Sequence, residues 1–215
     1  KENYYVIAAT IDGHGDEAET TFTTIQRCAD KIEAYINLSP YNELYAVCGL
    51  SIGAQIAVEL LSRKKDIVKK AVIESALVYP MKHTAMMIKP MYNMSYSLIK
   101  KHWFAKQQAK ALFVPDDMFD KYYKDSQKMS KESLINMALA NSTYKMPESL
   151  RQTEAEAIIL VGEKELPVMK KSAKLLRETI KNSRLNVVKG AGHGELSLKH
   201  SEKYNKLVLE FLKES

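Results

Sequence analysis

Apolar and polar positions along the chain predict β-strands that alternate with α-helices. Short apolar runs of the kind found in buried strands occur in five places: Tyr4–Ile11, Leu44–Leu50, Ala71–Ser75, Ala157–Gly162 and Leu185–Lys189. Apolar residues recur at helical spacing in four segments between and after these runs: 20–36, 54–61, 167–182 and 200–213. Such alternation is typical of a parallel sheet that helices cover on both faces. The predicted fold class is therefore α/β, with a mostly parallel sheet of at least five strands.

Residues 80–150 interrupt this alternation. They contain no clear buried strand, but they hold nine of the ten methionines and many of the aromatic residues. Methionine fills irregular gaps in cores and is also common on surfaces that accept ligands of variable shape. We therefore predict a core built from residues 1–79 and 151–215, with 80–150 as an inserted helical segment.

Composition narrows the class of protein without identifying it. With 215 residues, of which 46% are apolar and 27% charged, the chain is typical of a globular domain and not of a disordered or fibrous protein. It has no stretch of uninterrupted apolar residues long enough to cross a bilayer and no signal-peptide pattern, so no stable membrane insertion is predicted. Cys28 and Cys48 lack the spacing of a zinc site, and the sparse cysteine content favours a cytoplasmic protein.

The formal net charge of +6 raises the question of a nucleic-acid partner. Nucleic-acid binding normally requires clustered Lys and Arg interleaved with aromatic residues, or a known motif. Neither is evident, although residues 80–150 carry eleven Lys against six Asp and Glu. We predict no nucleic-acid partner and interpret the excess as a solvated surface, with attraction of anionic substrates or membranes as the alternative.

The sequence Gly49-Leu50-Ser51-Ile52-Gly53 carries the most specific chemical signal. It matches the pattern G-x-S-x-G directly after a predicted strand and directly before a predicted helix, where this pattern forms a sharp turn that exposes the serine hydroxyl. Ser51 is therefore the candidate nucleophile. The alternative is a glycine-flanked turn that carries an ordinary surface serine.

A serine hydroxyl needs a base to take its proton, and the base is usually a histidine held by a carboxylate. His193 is the candidate base because it lies in a glycine-rich loop, Gly190–Gly194, after the last predicted strand. The other four histidines are interpreted as loop or surface residues: His14, His83, His102 and His200. The turn after the preceding strand supplies two carboxylates. We favour Glu165 as the group that orients His193, with Glu163 and Glu195 as the alternatives.

These residues resemble the α/β-hydrolase family over nearly the whole chain outside residues 80–150. The order of Ser51 before Glu165 before His193 is the order that the family's triad requires. The resemblance places the acid three residues after the glycine that ends its strand, which is Glu165, although most members have Asp there. It gives residues 80–150 the position of a lid, and it makes Ile11–Asp16 similar to the loop after the strand that precedes the nucleophile strand.

The resemblance implies a serine hydrolase of the esterase type that needs no metal and no organic cofactor. Ser51 would attack an acyl carbonyl, His193 would move the proton, and the backbone N–H of Ile52 would stabilise the oxyanion. The expected partner is a small-molecule ester with a small to medium apolar acyl or aryl group, and a homodimer is compatible with the sequence. The family's second oxyanion donor comes from an earlier loop. We therefore expect the natural protein to extend upstream of Lys1 by about 20 to 40 residues, unless Asp12–Gly15 supplies that donor.

Two alternative functions share the same residues. A carbon–carbon bond hydrolase or lyase uses the same triad, and the sequence does not separate it from an esterase. A non-catalytic, ligand-binding homologue would keep the fold and the pocket without needing all three triad residues, so an intact serine, acid and histidine favours an enzyme.

Overall fold

The computed structural model describes residues 4–39 and 44–214, and within these ranges strands alternate with helices. The strands are β1 (Leu44–Leu50), β2 (Val68–Glu74), β3 (Glu156–Gly162) and β4 (Ser183–Val188). The α-helices are α1 (Ile25–Leu38), α2 (Ile52–Leu61), α3 (Lys82–Ile99), α4 (His102–Ala111), α5 (Phe119–Lys128), α6 (Lys131–Thr143), α7 (Pro167–Thr179), α8 (Glu195–Lys199) and α9 (Ser201–Lys213). Short 3-10 helices lie at Gly15–Glu17, Asp116–Met118 and Glu148–Gln152.

The four strands form one parallel sheet in the order β1-β2-β3-β4. Parallel neighbours require crossover connections, and the helices between the strands supply them. β2 and β3 are buried along most of their length, as expected for inner strands that are covered on both faces. Because all four strands run in the same direction, their carboxyl ends meet along one edge of the sheet. The loops at this edge bring together residues that are far apart in sequence.

Four of the five predicted strands are confirmed, with small changes at their ends. The fifth, Tyr4–Ile11, forms no strand in this structure, and the side chains of Tyr5 and Val6 are exposed where the sequence predicts burial. An apolar run becomes a buried strand only where a neighbour satisfies its backbone hydrogen bonds, and no described strand pairs with this run. The prediction of at least five strands is therefore not confirmed, since the described residues form four.

Local chemistry explains where several helices begin. α1 starts after Thr24, whose side-chain oxygen accepts a hydrogen bond from the backbone N–H of Arg27 at 3.0 Å. α7 starts with Pro167, at a position where the missing N–H is not needed. The residues of α2 that the sequence predicts to face inward are all buried: Ala54, Ala57, Val58 and Leu61. In α1, by contrast, Tyr35 is exposed although its spacing predicts burial.

The chain divides into two compact units. One unit contains residues 24–87 together with the chain from 138 onward, and it holds the whole described sheet. The other contains residues up to 23 together with 88–137, and it is mainly helical. The helical character predicted for residues 80–150 is confirmed. The division into a core and a lid at residues 80 and 150 stays a prediction.

The mainly helical unit has its own internal contacts. The ammonium group of Lys100 donates hydrogen bonds to the backbone carbonyls of Ser126, Gln127 and Met129 at distances of 2.5 to 3.1 Å. These carbonyls lie at the end of α5, where helical C=O groups lack partners within the helix and where positive charge is favourable.

Among the residues that the structure describes, no helix has the length and hydropathy needed to span a membrane.

Candidate active site

The turn between β1 and α2 presents Ser51 at the carboxyl edge of the sheet. Its backbone has φ 55° and ψ −116°, a conformation that residues other than glycine rarely adopt. The Ser51 N–H donates to the carbonyl of Glu74 at 2.9 Å, and its carbonyl accepts from Gln55 N–H at 3.1 Å. These two bonds hold the strained turn in place, as expected where strain serves a function. The structure thus gives G-x-S-x-G the sharp strand-to-helix turn that the sequence predicts.

The two glycines of this turn are not equivalent. A Cβ atom on Gly49 would overlap the backbone of Gly53 and would lie 2.7 Å from the amide nitrogen of Ala54. A Cβ atom on Gly53 would meet nothing within 4 Å. Only Gly49 is therefore required by the close approach of strand and helix.

This difference predicts opposite outcomes for two matched substitutions. Gly49→Ala is expected to lower the free energy of unfolding by about 1 to 3 kcal/mol, because the new methyl group forces the backbone apart. Gly53→Ala is expected to leave it unchanged or raise it by up to about 1 kcal/mol, because Ala is the better helix former. Urea unfolding of the two variants measures both values. Equal losses in the two variants would contradict this assignment of the contact.

The structure brings three of the predicted site residues into one hydrogen-bonded chain. The Oγ atom of Ser51 lies 3.1 Å from Nε2 of His193, and Nδ1 of His193 lies 2.8 Å from Oε2 of Glu165. When Nδ1–H donates to the carboxylate, Nε2 is left as an acceptor that faces the serine hydroxyl. The side chain of His193 is 49% exposed and that of Glu165 only 1%. The imidazole is accessible to a substrate while its carboxylate partner is buried.

Three groups hold Glu165 as a carboxylate. Its Oε1 atom accepts hydrogen bonds from the backbone N–H of Gly162 and from the hydroxyl of Ser75, each at 2.7 Å. Burial raises the pKa of Glu165, but the hydrogen bonds from His193, Gly162 and Ser75 together bring it below its ordinary value. Ser75 is not among the site residues that the sequence predicts. The signal for it was its place directly after β2, at the same edge of the sheet as the other site residues.

The loop that carries His193 packs directly on the end of β3. A Cβ atom on Gly162 would lie 2.5 Å from the carbonyl oxygen of Ala191 and 2.6 Å from that of Gly192. The missing side chain at this position is therefore what lets the loop approach the strand. The backbone N–H of Lys164 also donates a hydrogen bond to the carbonyl of Ala191 in this loop, at 2.9 Å.

The two alternative acids contact the same loop but not the imidazole. Glu163 is exposed, and its Oε2 accepts from the N–H of Gly190 at 2.8 Å. Glu195 accepts from the N–H of Gly192 at 2.8 Å and from Lys199 at 2.7 Å. The bond from Lys199 and that from the Gly192 N–H lower the pKa of Glu195 to about 2. The structure thus places Glu165, the favoured candidate, against Nδ1 of His193.

The remaining histidines have other contacts. A ring nitrogen of His14 lies 3.0 Å from the carbonyl oxygen of Asp12, and His200 lies 3.9 Å from the carboxylate of Glu195. His102 packs edge-on against Phe119 and Tyr123, and His83 is exposed on α3. Among the described residues, no group of three or more His, Cys, Asp or Glu side chains could hold a metal ion.

Ile52 directly follows Ser51 in the sequence and is the first residue of α2. The first N–H groups of a helix have no carbonyl partner within the helix, and the helix dipole places partial positive charge there. This end of α2 can therefore stabilise negative charge that develops on a group bound at Ser51.

Comparison with solved structures identifies the fold. The chain is similar to an esterase from Exiguobacterium antarcticum, with a TM-score of 0.74, 19% identity and coverage of 94% of this chain and 79% of that one. It is also similar to a bromoperoxidase from Bacillus anthracis, with a TM-score of 0.73, 18% identity and the same coverage of 94% and 79%. A thermophilic esterase from Thermogutta terrifontis gives a TM-score of 0.68 and 15% identity over 89% of this chain and 73% of that one.

The chain therefore has the α/β-hydrolase fold, as the sequence predicts. No protein-family model matches the chain, and no curated protein matches it.

Proposed function

We propose that the protein is a serine hydrolase that cleaves carboxylic esters with a small to medium apolar acyl or aryl group. The observation that carries this proposal is that His193 lies within hydrogen-bond distance of both other residues. Its Nε2 atom is 3.1 Å from Oγ of Ser51, and its Nδ1 atom is 2.8 Å from Oε2 of Glu165. A nucleophile, a base and an orienting carboxylate in this order are the groups that acyl transfer requires. Two of the similar structures described above are named as esterases, which supports the choice of an ester substrate.

The proposed reaction uses each group in turn. His193 takes the proton of Ser51 through Nε2 as Oγ attacks the ester carbonyl, and Glu165 stabilises the imidazolium that forms. The N–H of Ile52 donates to the oxyanion of the tetrahedral intermediate. His193 then protonates the leaving alcohol, and the acyl group remains on Ser51. A water molecule, activated by the same imidazole, releases the carboxylic acid and restores the serine.

Turnover of 4-nitrophenyl esters of increasing acyl length tests this proposal. An enzyme of this kind is expected to release 4-nitrophenol with an initial burst equal to the concentration of Ser51, because 4-nitrophenyl esters acylate the serine faster than water hydrolyses the acyl-enzyme. A ligand-binding protein with the same fold would bind the ester without a burst. A carbon–carbon bond hydrolase would show weak turnover of these esters at every acyl length.

The cytoplasm stays the predicted location.

Two exposed methionines on α3 are predicted to affect the choice of ester. The side chains of Met86 and Met87 are 75% and 64% exposed, so neither is a core residue. Replacing both with Ala is expected to shift the acyl length with the highest kcat/KM, since one methylene against an apolar wall changes kcat/KM by about tenfold or more. The chemical step should change little, because neither side chain carries a transferable proton. The measurement is kcat/KM over the series of esters.

Met169 offers a matched control for this double substitution. It lies in α7 and is buried, so Met169→Ala is expected to lower stability by about 2 to 5 kcal/mol while the preferred acyl length stays the same. If the double substitution on α3 leaves the preference unchanged, Met86 and Met87 do not contact the substrate.

A further inference from the structure

Two consecutive residues at the end of β2 contact the triad. The backbone carbonyl of Glu74 accepts from the N–H of Ser51, and the hydroxyl of Ser75 donates to Glu165. The carboxyl group of Glu74 has no role in the mechanism proposed above. Its side chain nevertheless lies beside the same groups, because β2 is paired between β1 and β3, and Glu74 is opposite Leu50 on one side and Leu160 on the other.

The Glu74 carboxyl is buried and nearly without partners. The residue is 3% exposed, and its Oε1 atom accepts one long hydrogen bond, 3.4 Å, from the backbone N–H of Ser197 in α8. Its Oε2 atom is buried and has no hydrogen-bond partner among the described residues. No described lysine or arginine forms an ion pair with it.

The groups that face this carboxyl come from four elements. Glu165 follows β3 and His193 follows β4, and both are near enough to interact with Glu74 electrostatically. Ser197 belongs to α8, and Tyr204 of α9 interacts electrostatically with the same carboxyl. Tyr204 in turn forms a hydrogen bond with Cys48 of β1. The neighbouring carboxylate of Glu165 is already ionised and hydrogen-bonded, so it repels a second negative charge.

A carboxylate in this position is costly. Buried charge is tolerated where it is paired or where several hydrogen bonds satisfy it, and Glu74 interacts in this way only with the backbone N–H and the side chain of Ser197. Burial is the main cause that raises the pKa of Glu74, and the charge of Glu165 acts in the same direction. The side-chain and backbone hydrogen bonds from Ser197 and the proximity of His193 lower this pKa but do not reverse the change. A protonated carboxyl avoids most of this cost.

We propose that Glu74 is a positioning residue that lies beside the triad as an uncharged carboxylic acid. Its Oε1 atom anchors α8 through Ser197, and α8 directly follows the loop that carries His193. Its neutrality keeps a second negative charge away from His193. A carboxylate there would stabilise the imidazolium in the resting enzyme and would remove the neutral base over a wider range of pH. The kinetic part of this inference rests on the proposed hydrolase function.

The charge of Glu74 can be measured without a substrate. In protein labelled with ¹³C at the glutamate side-chain carboxyls, the resonance that disappears in Glu74→Gln belongs to Glu74. At neutral pH this resonance is expected at the position of a carboxylic acid. The resonance of Glu195, assigned in the same way from Glu195→Gln, is expected at the position of a carboxylate, because the hydrogen bonds from Lys199 and from the Gly192 N–H lower the pKa of Glu195. A carboxylate resonance for Glu74 at neutral pH would overturn the proposal.

Kinetics tests the positioning role. Gln copies the uncharged acid in shape and keeps the acceptor for Ser197, so Glu74→Gln is expected to retain kcat/KM within about threefold. The pH at which its activity falls on the acid side should match that of the wild-type protein. Glu74→Ala leaves the part-buried N–H of Ser197 without its acceptor and is expected to lower kcat/KM by about tenfold or more. Glu163→Gln controls for the removal of a carboxylate near the same loop.

An ionised Glu74 would give a different pH profile. Removing a real negative charge beside His193 would free the base at lower pH, so Glu74→Gln would move the acid side of the profile downward. That result would overturn the proposal even if Glu74→Ala failed to fold. If the wild-type protein hydrolyses no ester, the proposed function fails. The carboxyl resonance still decides the charge of Glu74 in that case.

Discussion

Ser51→Ala is expected to reduce the kcat of ester hydrolysis by about 10⁶-fold, the loss typical of removing the nucleophile from a triad of this kind. The structure gives the reason. Ser51 has its hydroxyl 3.1 Å from an imidazole nitrogen and is held on a strained turn that presents it at the edge of the sheet. The same variant should lose labelling by a fluorophosphonate probe, which reacts with activated serines. Intact-mass measurement is expected to show one probe per wild-type chain and none on the variant.

Ser62→Ala is the matched control for this experiment. Ser62 lies at the other end of α2, and its hydroxyl donates to the carbonyl of Glu59 at 2.7 Å. It has no contact with the triad, so activity and labelling should equal those of the wild-type chain. Labelling that persists in Ser51→Ala at the wild-type level would place the reactive serine elsewhere.

Glu165→Gln is expected to lower kcat by about 10⁴-fold with little change in KM, because an amide in place of the carboxylate favours the wrong histidine tautomer. Raising the pH should not restore the activity of this variant, because the amide cannot become a carboxylate. The wild-type protein keeps its carboxylate throughout the neutral range, because the hydrogen bonds to Glu165 hold its pKa below the ordinary value. The measurement is the pH profile of kcat in both proteins.

Glu163→Gln tests the specificity of that loss. Glu163 contacts the N–H of Gly190 in the same loop but not the imidazole, so its substitution should change kcat by less than about tenfold. If Glu163→Gln were the more damaging of the two, Glu163 would be the orienting acid and the loop would rearrange in solution. Mild effects from both variants would point to Glu195.

The sequence predicts the three residues of the candidate site because their signals are local. A glycine pattern between a strand and a helix identifies Ser51, and a glycine-rich loop after the last strand identifies His193. The position of Glu165 follows from the turn after the strand before it. Since parallel strands share one carboxyl edge, residues that follow different strands are expected near one another. The structure brings them within hydrogen-bond distance.

What the sequence does not predict depends on contacts between distant segments. The apolar run Tyr4–Ile11 resembles a strand in composition, but strand formation needs a partner, and none of the described strands provides one. Ser75 and Glu74 contribute to the site only because β2 pairs between β1 and β3. The different roles of Gly49 and Gly53 likewise depend on how strand and helix approach each other in space. Both the pairing order and the closeness of this approach depend on contacts between segments that are far apart in the sequence.

The parallel order of the strands also affects how the protein reaches its folded form. Ser51 and His193 are 142 residues apart, and they follow β1 and β4, the two outer strands of the described sheet. Contacts of such long sequence separation form slowly, because the entropy of closing a large loop must be paid before they stabilise anything. Because β2 and β3 lie between β1 and β4 in the sheet, we expect this hydrogen bond to form only after the two inner strands have paired with their neighbours. A probe that reacts with Ser51 only when His193 is in place thus reports on completion of the sheet during refolding.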